Sequence, residues 1–254
     1  MKRSFIITAG FALAVLLSIS IFAQDMNPEA GKLYNEGNRF LKAGNYTGAI
    51  ANYEKALKIE QDYRIYYQRG VALKKSRNYS EAKNSFELCK KLKPDFEAVY
   101  NALGGIEFAL KNYEAAASNF EHVIEISKNN IVKGQVKKNL SLAYTKLGER
   151  AFANGRSTDA LNYLNNAVNN QNYDAAYLII AKIHNDLGNW VKSLDAAQKA
   201  LKYRKSISSG GPYFYMGIAY KNEGDLAQAK KMFLLASKDA SYKKTADYEL
   251  TLLN

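Results

Sequence analysis

A pair of small residues recurs six times along this chain, with the second member always twelve positions after the first. The pairs are Gly37/Ala49, Gly70/Ala82, Gly104/Ala116, Gly148/Ala160, Ala181/Ser193 and Gly217/Ala229. Successive first members are 33, 34, 44, 33 and 36 residues apart. A period near 34 residues is typical of a stacked array of one supersecondary unit, so the chain is not expected to form a single globular core.

Each unit has the pattern of two helices joined by a short break. Apolar residues at helical spacing stand on both sides of a turn signal, which begins seven residues after the first small residue. Four positions after the second small residue stands an apolar residue: Tyr53, Phe86, Phe120, Leu164, Ala197 or Phe233. Small residues let two antiparallel helices approach closely, and large ones fill the space beside that contact. The pattern therefore predicts an all-α solenoid of about six helix-turn-helix units.

Over residues 30–243 these positions resemble the tetratricopeptide repeat (TPR) family. Position 4 of the repeat is aromatic or Leu, in Leu33, Tyr66, Tyr100, Tyr144, Tyr177 and Tyr213. Position 27 is small or apolar, in Ala56, Cys89, Val123, Ala167, Ala200 and Ala236. The proline usual at position 32 is present only as Pro94. The resemblance implies a right-handed α-α superhelix of six repeats (30–62, 63–96, 97–130, 131–173, 174–209 and 210–243), closed by a capping helix at 244–254.

The first residues have the pattern of a secretory signal peptide. A basic start, Met1-Lys2-Arg3, precedes an apolar stretch over residues 5–17 and small residues up to Ala23. We expect cleavage near Ala23, a short linker at 24–29, and export to the periplasm or the cell exterior of a bacterium. An uncleaved segment that anchors the protein in the inner membrane is the alternative, because the apolar run approaches the length of a membrane span.

The formal net charge of +12 is unevenly distributed. Seven bases and one acid lie between Lys128 and Arg156, in the window that contains the additional ten residues of the fourth repeat. We expect these residues to lengthen the first helix of that repeat and to carry a basic patch, formed by Lys133, Lys137 and Lys138. Such a patch attracts phosphates, acidic peptides or anionic headgroups, although solvated lysines that keep the protein soluble are the simpler interpretation.

The sequence contains no recognisable catalytic or cofactor motif. There is one cysteine, and the two histidines, His122 and His184, are too far apart in sequence for a local zinc motif. His184 is expected in the core, at a packing position of the repeat. The glycine-rich residues 208–212 lack the following Lys and the preceding strand of a phosphate-binding loop, so they are interpreted as a lengthened loop before the sixth repeat. We expect neither an enzyme nor a cofactor or metal protein, and no nucleic-acid-binding motif is present.

In the TPR family the first helix of each repeat lines a concave groove. The resemblance places these side chains in it: Tyr34, Asn38, Arg64, Gln68, Asn101, Lys146, Leu178, Ile179, Lys182, Phe214, Tyr215, Ile218 and Lys221. The groove would be polar and basic at its start, and apolar and aromatic at its end. Alternatively, Leu178, Ile179 and Phe214 pack against the final segment of the chain. The residues by which chaperone-binding relatives clamp a carboxylate are mostly absent.

The expected function is a non-catalytic scaffold of the bacterial envelope that binds a peptide or helical segment of a protein partner in the groove. One alternative is a structural subunit that self-assembles into oligomers or fibres. Another is a binder of anionic envelope polymers through the basic patch. Membrane contact is expected only through an uncleaved signal or anionic headgroups.

Overall fold

The computed structural model describes residues 26–253, which form thirteen α-helices and no strand. The helices are α1 Pro28–Lys42, α2 Tyr46–Ile59, α3 Tyr63–Lys75, α4 Tyr79–Leu92, α5 Glu97–Ala109, α6 Tyr113–Ile126, α7 Asn130–Ala153, α8 Ser157–Asn170, α9 Asp174–Asp186, α10 Trp190–Lys202, α11 Gly210–Glu223, α12 Leu226–Ala236 and α13 Lys243–Leu252. The predicted signal peptide and the first residues of the linker lie outside the described residues.

Helices pair in sequence order, and each pair is one repeat. The first helix of a repeat packs on the second, and the second packs on the first helix of the next repeat. The last helix, α13, packs on α12 and caps the array as predicted. At 24 residues, α7 is the longest of the described helices, because it contains the insertion of the fourth repeat. The predicted all-α solenoid is therefore confirmed.

The small residues of the repeat lie where two helices of one hairpin approach each other. A Cβ atom added to Gly37, Gly70, Gly104, Gly148 or Gly217 would lie 2.5–2.6 Å from the large side chain predicted to fill the gap, namely Tyr53, Phe86, Phe120, Leu164 or Phe233. All five large side chains are buried. The repeat pattern thus records a packing requirement that recurs along the array.

In the fifth repeat, hydrogen bonds take the place of the large side chain where the two helices of the hairpin approach each other. Ser193 is fully buried, and its hydroxyl donates to the carbonyl oxygen of Ala181 over 2.9 Å. The amide of Asn185 donates to Ser193 Oγ and, over 3.1 Å, to the carbonyl oxygen of Tyr215 in α11. These bonds join the fifth repeat to the sixth.

Every turn between the two helices of a repeat has a residue in the left-handed region at the same place. Four of these residues are glycines, whereas Arg77 and Lys111 adopt a φ of 63° without being glycine. Around Arg77 the N–H of Asn78 donates to Leu73 O and the N–H of Arg77 donates to Lys74 O. These hydrogen bonds satisfy carbonyl oxygens in the last turn of α3, and helix ends of this kind usually have glycine in the left-handed position.

The glycine-rich residues before the sixth repeat are not all loop, which corrects the sequence interpretation. Gly210 and Gly211 begin α11 and are buried with Pro212. A Cβ at Gly211 would lie 2.8 Å from the hydroxyl oxygen of Tyr242, and one at Gly210 would lie 2.4 Å from Cβ of Asp239. The glycines are needed because the segment before α13 passes against this helical turn.

Candidate groove between the first helices

The first helices of successive repeats form the inner layer of the array. Contacts join α1 to α3, α3 to α5, α5 to α7, α7 to α9 and α9 to α11, whereas the second helices make no comparable contacts with one another. Since one layer touches along its length and the other spreads apart, the described residues curve around the first helices. The predicted concave face is therefore the face of α1, α3, α5, α7, α9 and α11.

A concave stretch of this face lies between α3, α5 and α7, and we call it the central groove. Its open volume is about 370 Å³. It is lined by Tyr67, Val71, Lys74, Lys75, Ala98, Asn101, Ala102, Gly105 and Asn139, and it continues past Phe108 to Leu142. Among residues 26–253, no acidic side chain lines it.

Polar groups in the central groove lack partners within the described part of the chain. The amines of Lys74 and Lys75 form no ion pair there, and the amides of Asn101 and Asn139 form no side-chain hydrogen bond. Lys74 lies beside Gly105, where a Cβ would be 3.3 Å from its Nζ. The groove thus offers several donors close together.

Aromatic rings give the central groove a fixed apolar surface. Tyr67 packs edge-on against Phe96 at 5.1 Å between ring centroids and lies 5.7 Å from Phe86. Phe108 packs on Tyr113 at 5.2 Å. Burial raises the pKa of Tyr67, so its hydroxyl remains a neutral donor at physiological pH.

Predicted groove residues of the first two repeats are mostly occupied by contacts within the protein. Asn38 accepts a hydrogen bond from the hydroxyl of Tyr53 over 2.7 Å, and Tyr34 packs on the same ring. The guanidinium of Arg64 pairs with Asp62 over 2.6 Å. Gln68 is half-buried and forms no hydrogen bond with the described residues.

The residues of the fourth and fifth repeats that were predicted to line the groove also contact other residues of the protein. Lys146 pairs with Glu149 over 2.6 Å, and the amine of Lys182 lies 5.2 Å from the centre of the Phe152 ring. Leu178 and Ile179 are half-buried and pack against the core around Ile180 and Ala181.

At the sixth repeat the capping helix contacts the predicted groove residues. Phe214 packs between Phe233 and Tyr242, and Ile218 joins the same cluster with Leu250 and Leu253 of the final segment. Lys221 pairs with Glu249 of α13 over 2.7 Å. Tyr215 is half-buried beside Phe214. Of the residues expected to pack against the final segment, Phe214 makes this contact directly.

The basic patch lies on the lengthened part of α7. Lys137 and Lys138 are exposed and Lys133 is half-buried, and none of the three pairs with a carboxylate of the described residues. Lys138 also lines a smaller pocket beside the N-terminus of α9.

Sequence reasoning missed Val71, Gly105, Asn139 and Leu142 in the central groove. Val71 and Gly105 occupy position 9 of their repeats, which is one of the positions whose side chains face the groove in the TPR family. Asn139 belongs to the insertion, and only the length of α7 brings it over the face of α5. The spacing of 44 residues between Gly104 and Gly148 is the sequence feature that could have indicated this insertion.

No cluster of three or more metal-ligating side chains occurs among residues 26–253. Cys89 is buried at a small core position of its repeat, and burial raises the pKa of its thiol to about 12. His184 is half-buried rather than in the core, and its Nδ1 has no partner within the described residues. Within the same range, every helix is too short or too polar to cross a bilayer.

The family models that match this sequence all describe tetratricopeptide repeats. A TPR repeat model matches residues 37–76, one tetratricopeptide repeat model matches residues 63–96 and 98–130, and another matches residues 145–211. No curated protein gives a significant match to the sequence.

Several solved structures share the fold. One is YrrB, described as a TPR protein with an unusual peptide-binding site, which is 16% identical with a TM-score of 0.52 over 78% of this chain and 96% of that one. MamA of Desulfovibrio magneticus RS-1 is 18% identical with a TM-score of 0.51, over 73% of this chain and 100% of that one. PilF of Pseudomonas aeruginosa is 15% identical with a TM-score of 0.50, over 87% and 97%. With its period, its helix pairs and these matches, the chain belongs to the tetratricopeptide repeat family.

Proposed function

We propose that this protein is a non-catalytic scaffold that binds an extended or helical segment of a protein partner in the central groove. The observation that carries the proposal is the set of unpartnered donors around Lys74, Lys75 and Asn101, beside the rings of Tyr67 and Phe108. Exposed donors next to a preformed apolar surface are the usual composition of a binding site.

The chemistry of the groove favours a segment with acceptors and apolar side chains. The amines of Lys74 and Lys75 and the amide of Asn101 suit backbone carbonyls or carboxylates, while Tyr67 and Phe108 suit apolar side chains. The likeness to YrrB, which is described as having a peptide-binding site, supports a peptide ligand on this fold.

The cellular setting in the proposal rests on the sequence of residues 1–23. A basic start, an apolar stretch and small residues at its end support export to the periplasm or cell exterior, with an anchored form as the alternative.

Self-assembly is a second candidate function, favoured by one observation. On the capping helix, Tyr248 is 62% exposed and Leu252 is 54% exposed, so the last edge of the array presents apolar surface.

Binding of an anionic polymer is a third candidate, favoured by the unpaired lysines of the basic patch.

Selection of short random peptides on the purified protein, followed by calorimetric titration of the enriched sequences, tests the groove. The double variant Lys74→Gln/Asn101→Ala should weaken binding by about tenfold or more, since it removes donors to the ligand. Lys91→Gln/Asn84→Ala makes the same two changes at exposed positions of the outer helix α4 and should bind normally.

Equal losses in both double variants would contradict the groove as the binding site. Light scattering of the purified protein separates the second candidate, because self-assembly predicts a mass well above that of one chain. Retention on an anionic polymer column that is lost when the basic patch is neutralised would favour the third.

A further inference from the structure

Two departures from the repeat period meet around one pocket. The spacing of 44 residues lengthens α7, and the spacing of 36 residues lengthens the connection between α10 and α11, over residues 203–209. Lys138 and Ser141 of the lengthened α7 face Tyr203 and Lys205 of that connection across a pocket of about 220 Å³. Regular repeats of this chain have neither element, so the pocket is specific to this junction.

The wall of the pocket contains a buried hydroxyl without a partner. Ser141 is 1% exposed, and its Oγ forms no hydrogen bond with the described residues. Its carbonyl oxygen, by contrast, accepts from the hydroxyl of Thr145 over 2.7 Å. A buried hydroxyl that lacks a partner is energetically unfavourable, so such groups in folded proteins usually meet a water molecule or a ligand.

The charged groups at the pocket favour an anion. The amines of Lys138 and Lys205 are exposed and form no ion pair with the described residues. The pocket also contains Asp174, but the acceptors of this carboxylate are already used. Its Oδ2 accepts from the backbone N–H groups of Lys205, Ser206 and Ile207 over 2.6, 2.6 and 3.1 Å. Its Oδ1 accepts from the Ser206 hydroxyl and from the N–H of Ala175. The charged groups that remain available to a ligand are therefore the two amines, beside the neutral amides of Gln171 and Asn172.

The pocket also has an apolar side that is fixed in position. The ring of Tyr203 stacks on Tyr177 with 5.8 Å between centroids, and Tyr173 and Leu142 complete the surface. Leu142 also lines the far end of the central groove, so the pocket and the groove are adjacent along the inner face. A segment that occupies the groove can therefore extend into the pocket.

We propose that this pocket binds an acidic side chain, together with an adjoining apolar side chain, from within the partner segment. Lys138, Lys205 and the Ser141 hydroxyl would meet the carboxylate, and Tyr173, Tyr203 and Leu142 would meet the apolar group. The volume is below the roughly 300–1,000 Å³ of sites for drug-sized ligands and suits one or two side chains. As a contact of the same partner, the pocket rests on the proposed function.

The test uses a dipeptide that is too short to reach across the groove. Acetyl-Glu-Phe-amide carries one side-chain carboxylate and no free terminus, and acetyl-Gln-Phe-amide is its neutral match. In a titration followed by amide chemical shifts, the acidic probe should shift the signals of residues around Ser141 and Lys205. The neutral probe should bind about tenfold more weakly or not at all, because charge-assisted hydrogen bonds are lost.

Matched variants separate the pocket from general attraction to a basic surface. Lys138→Gln and Lys205→Gln should each weaken binding of the acidic probe by about tenfold, whereas Lys137→Gln and Arg204→Gln remove the same charge from exposed neighbours and should change it by less than about threefold. Ser141→Ala should lower affinity without lowering the thermal midpoint, since it removes an unpartnered hydroxyl.

Equal binding of the two probes, equal losses in all four charge variants, or the absence of shifts at the pocket would overturn the proposal. Unchanged affinity in Ser141→Ala would overturn the role of its hydroxyl. The groove variant Lys74→Gln/Asn101→Ala should bind the probe normally. If the selected peptides bind this variant as tightly as the unaltered protein while the probe still binds the pocket, the proposed function is contradicted and the assignment of the pocket is not.

Discussion

The ring of Phe120 occupies the space that a side chain at Gly104 would need. A Cβ at residue 104 would lie 2.5 Å from Cε1 and 2.7 Å from Cδ1 of this ring, closer than real Cβ atoms approach. Phe120 is 2% exposed and cannot move into solvent without opening the core of the third repeat. The distance between the two helices of the hairpin is therefore set jointly by the smallest and one of the largest side chains of the repeat.

Gly104→Ala should destabilise the protein by about 1–3 kcal/mol, because the new methyl group must displace the Phe120 ring. The measurement is thermal unfolding followed by circular dichroism. Gly134→Ala is the matched control: it lies in α7, and a Cβ there would meet no atom within 4 Å. That variant should gain about 0.5–1 kcal/mol, since alanine is the better helix former. An unchanged midpoint in Gly104→Ala would contradict the packing argument.

The fold was predictable because its main determinant is local and repeated. Gly104, Ala116 and Phe120 determine how closely the two helices of a hairpin pack, and the same pattern recurs in every repeat except the fifth. The fifth repeat was the least predictable, since Asn185 and Ser193 replace a steric contact by hydrogen bonds that reach Tyr215 in the next repeat.

The site was only partly predictable, because family positions report which way a side chain points but not what it contacts. Asn101 lines the groove and forms no side-chain hydrogen bond with any residue in the range 26–253, whereas Asn38, on an equivalent face, accepts a hydrogen bond from the Tyr53 hydroxyl. Asn139 and the pocket at Ser141 depend on where insertions meet in space. The period of the repeat does not predict which distant segments come into contact.

Arg77→Gly should stabilise the protein by roughly 1 kcal/mol, because a non-glycine residue in the left-handed region is strained. Arg77 is exposed and forms no ion pair with the described residues, so little else is lost. Denaturant unfolding measures the gain. Arg77→Ala keeps the strain and should show no such gain; a similar gain in both variants would mean that the arginine side chain, not the backbone, is unfavourable.

Asp174 should give the protein a stability that depends on acid pH. Burial by itself would raise the pKa of this carboxyl group, but hydrogen bonds from the Ser206 hydroxyl and from the backbone of residues 205–207 lower it to about 2. A pKa below that of the unfolded chain, about 4, means that the stabilisation is present above pH ~4 and is lost as the pH falls towards 2. Its size is about 2 kcal/mol.

The comparison of Asp174→Asn with the unaltered protein isolates this carboxyl group, because the other acids titrate equally in both. We expect the difference in unfolding free energy to be largest above pH 4 and to shrink towards pH 2. A difference that stays constant over this range would show that the carboxylate charge does not hold the connection between α10 and α11.

The exported form of the protein should begin near Gln24. N-terminal sequencing of material from the periplasmic fraction of a producing bacterium measures this. Ala23→Leu, which spoils the small-residue end of the signal, should leave the longer form attached to membranes. Retention of Met1 in the unaltered, membrane-bound protein would instead support the anchored alternative.

The two ends of the inner face should differ in their contribution to partner binding. The central groove keeps unpartnered donors at Lys74 and Asn101, whereas at the sixth repeat Phe214 and Lys221 are engaged by the final segment. Peptides selected on the protein should therefore lose about tenfold or more in affinity with Lys74→Gln/Asn101→Ala. Tyr215→Ala should change the affinity much less, because the neighbouring Phe214 is already packed against Phe233 and Tyr242. Circular dichroism must show unchanged helix content in both variants. A loss with Tyr215→Ala alone would place the binding site at the sixth repeat and remove it from the central groove.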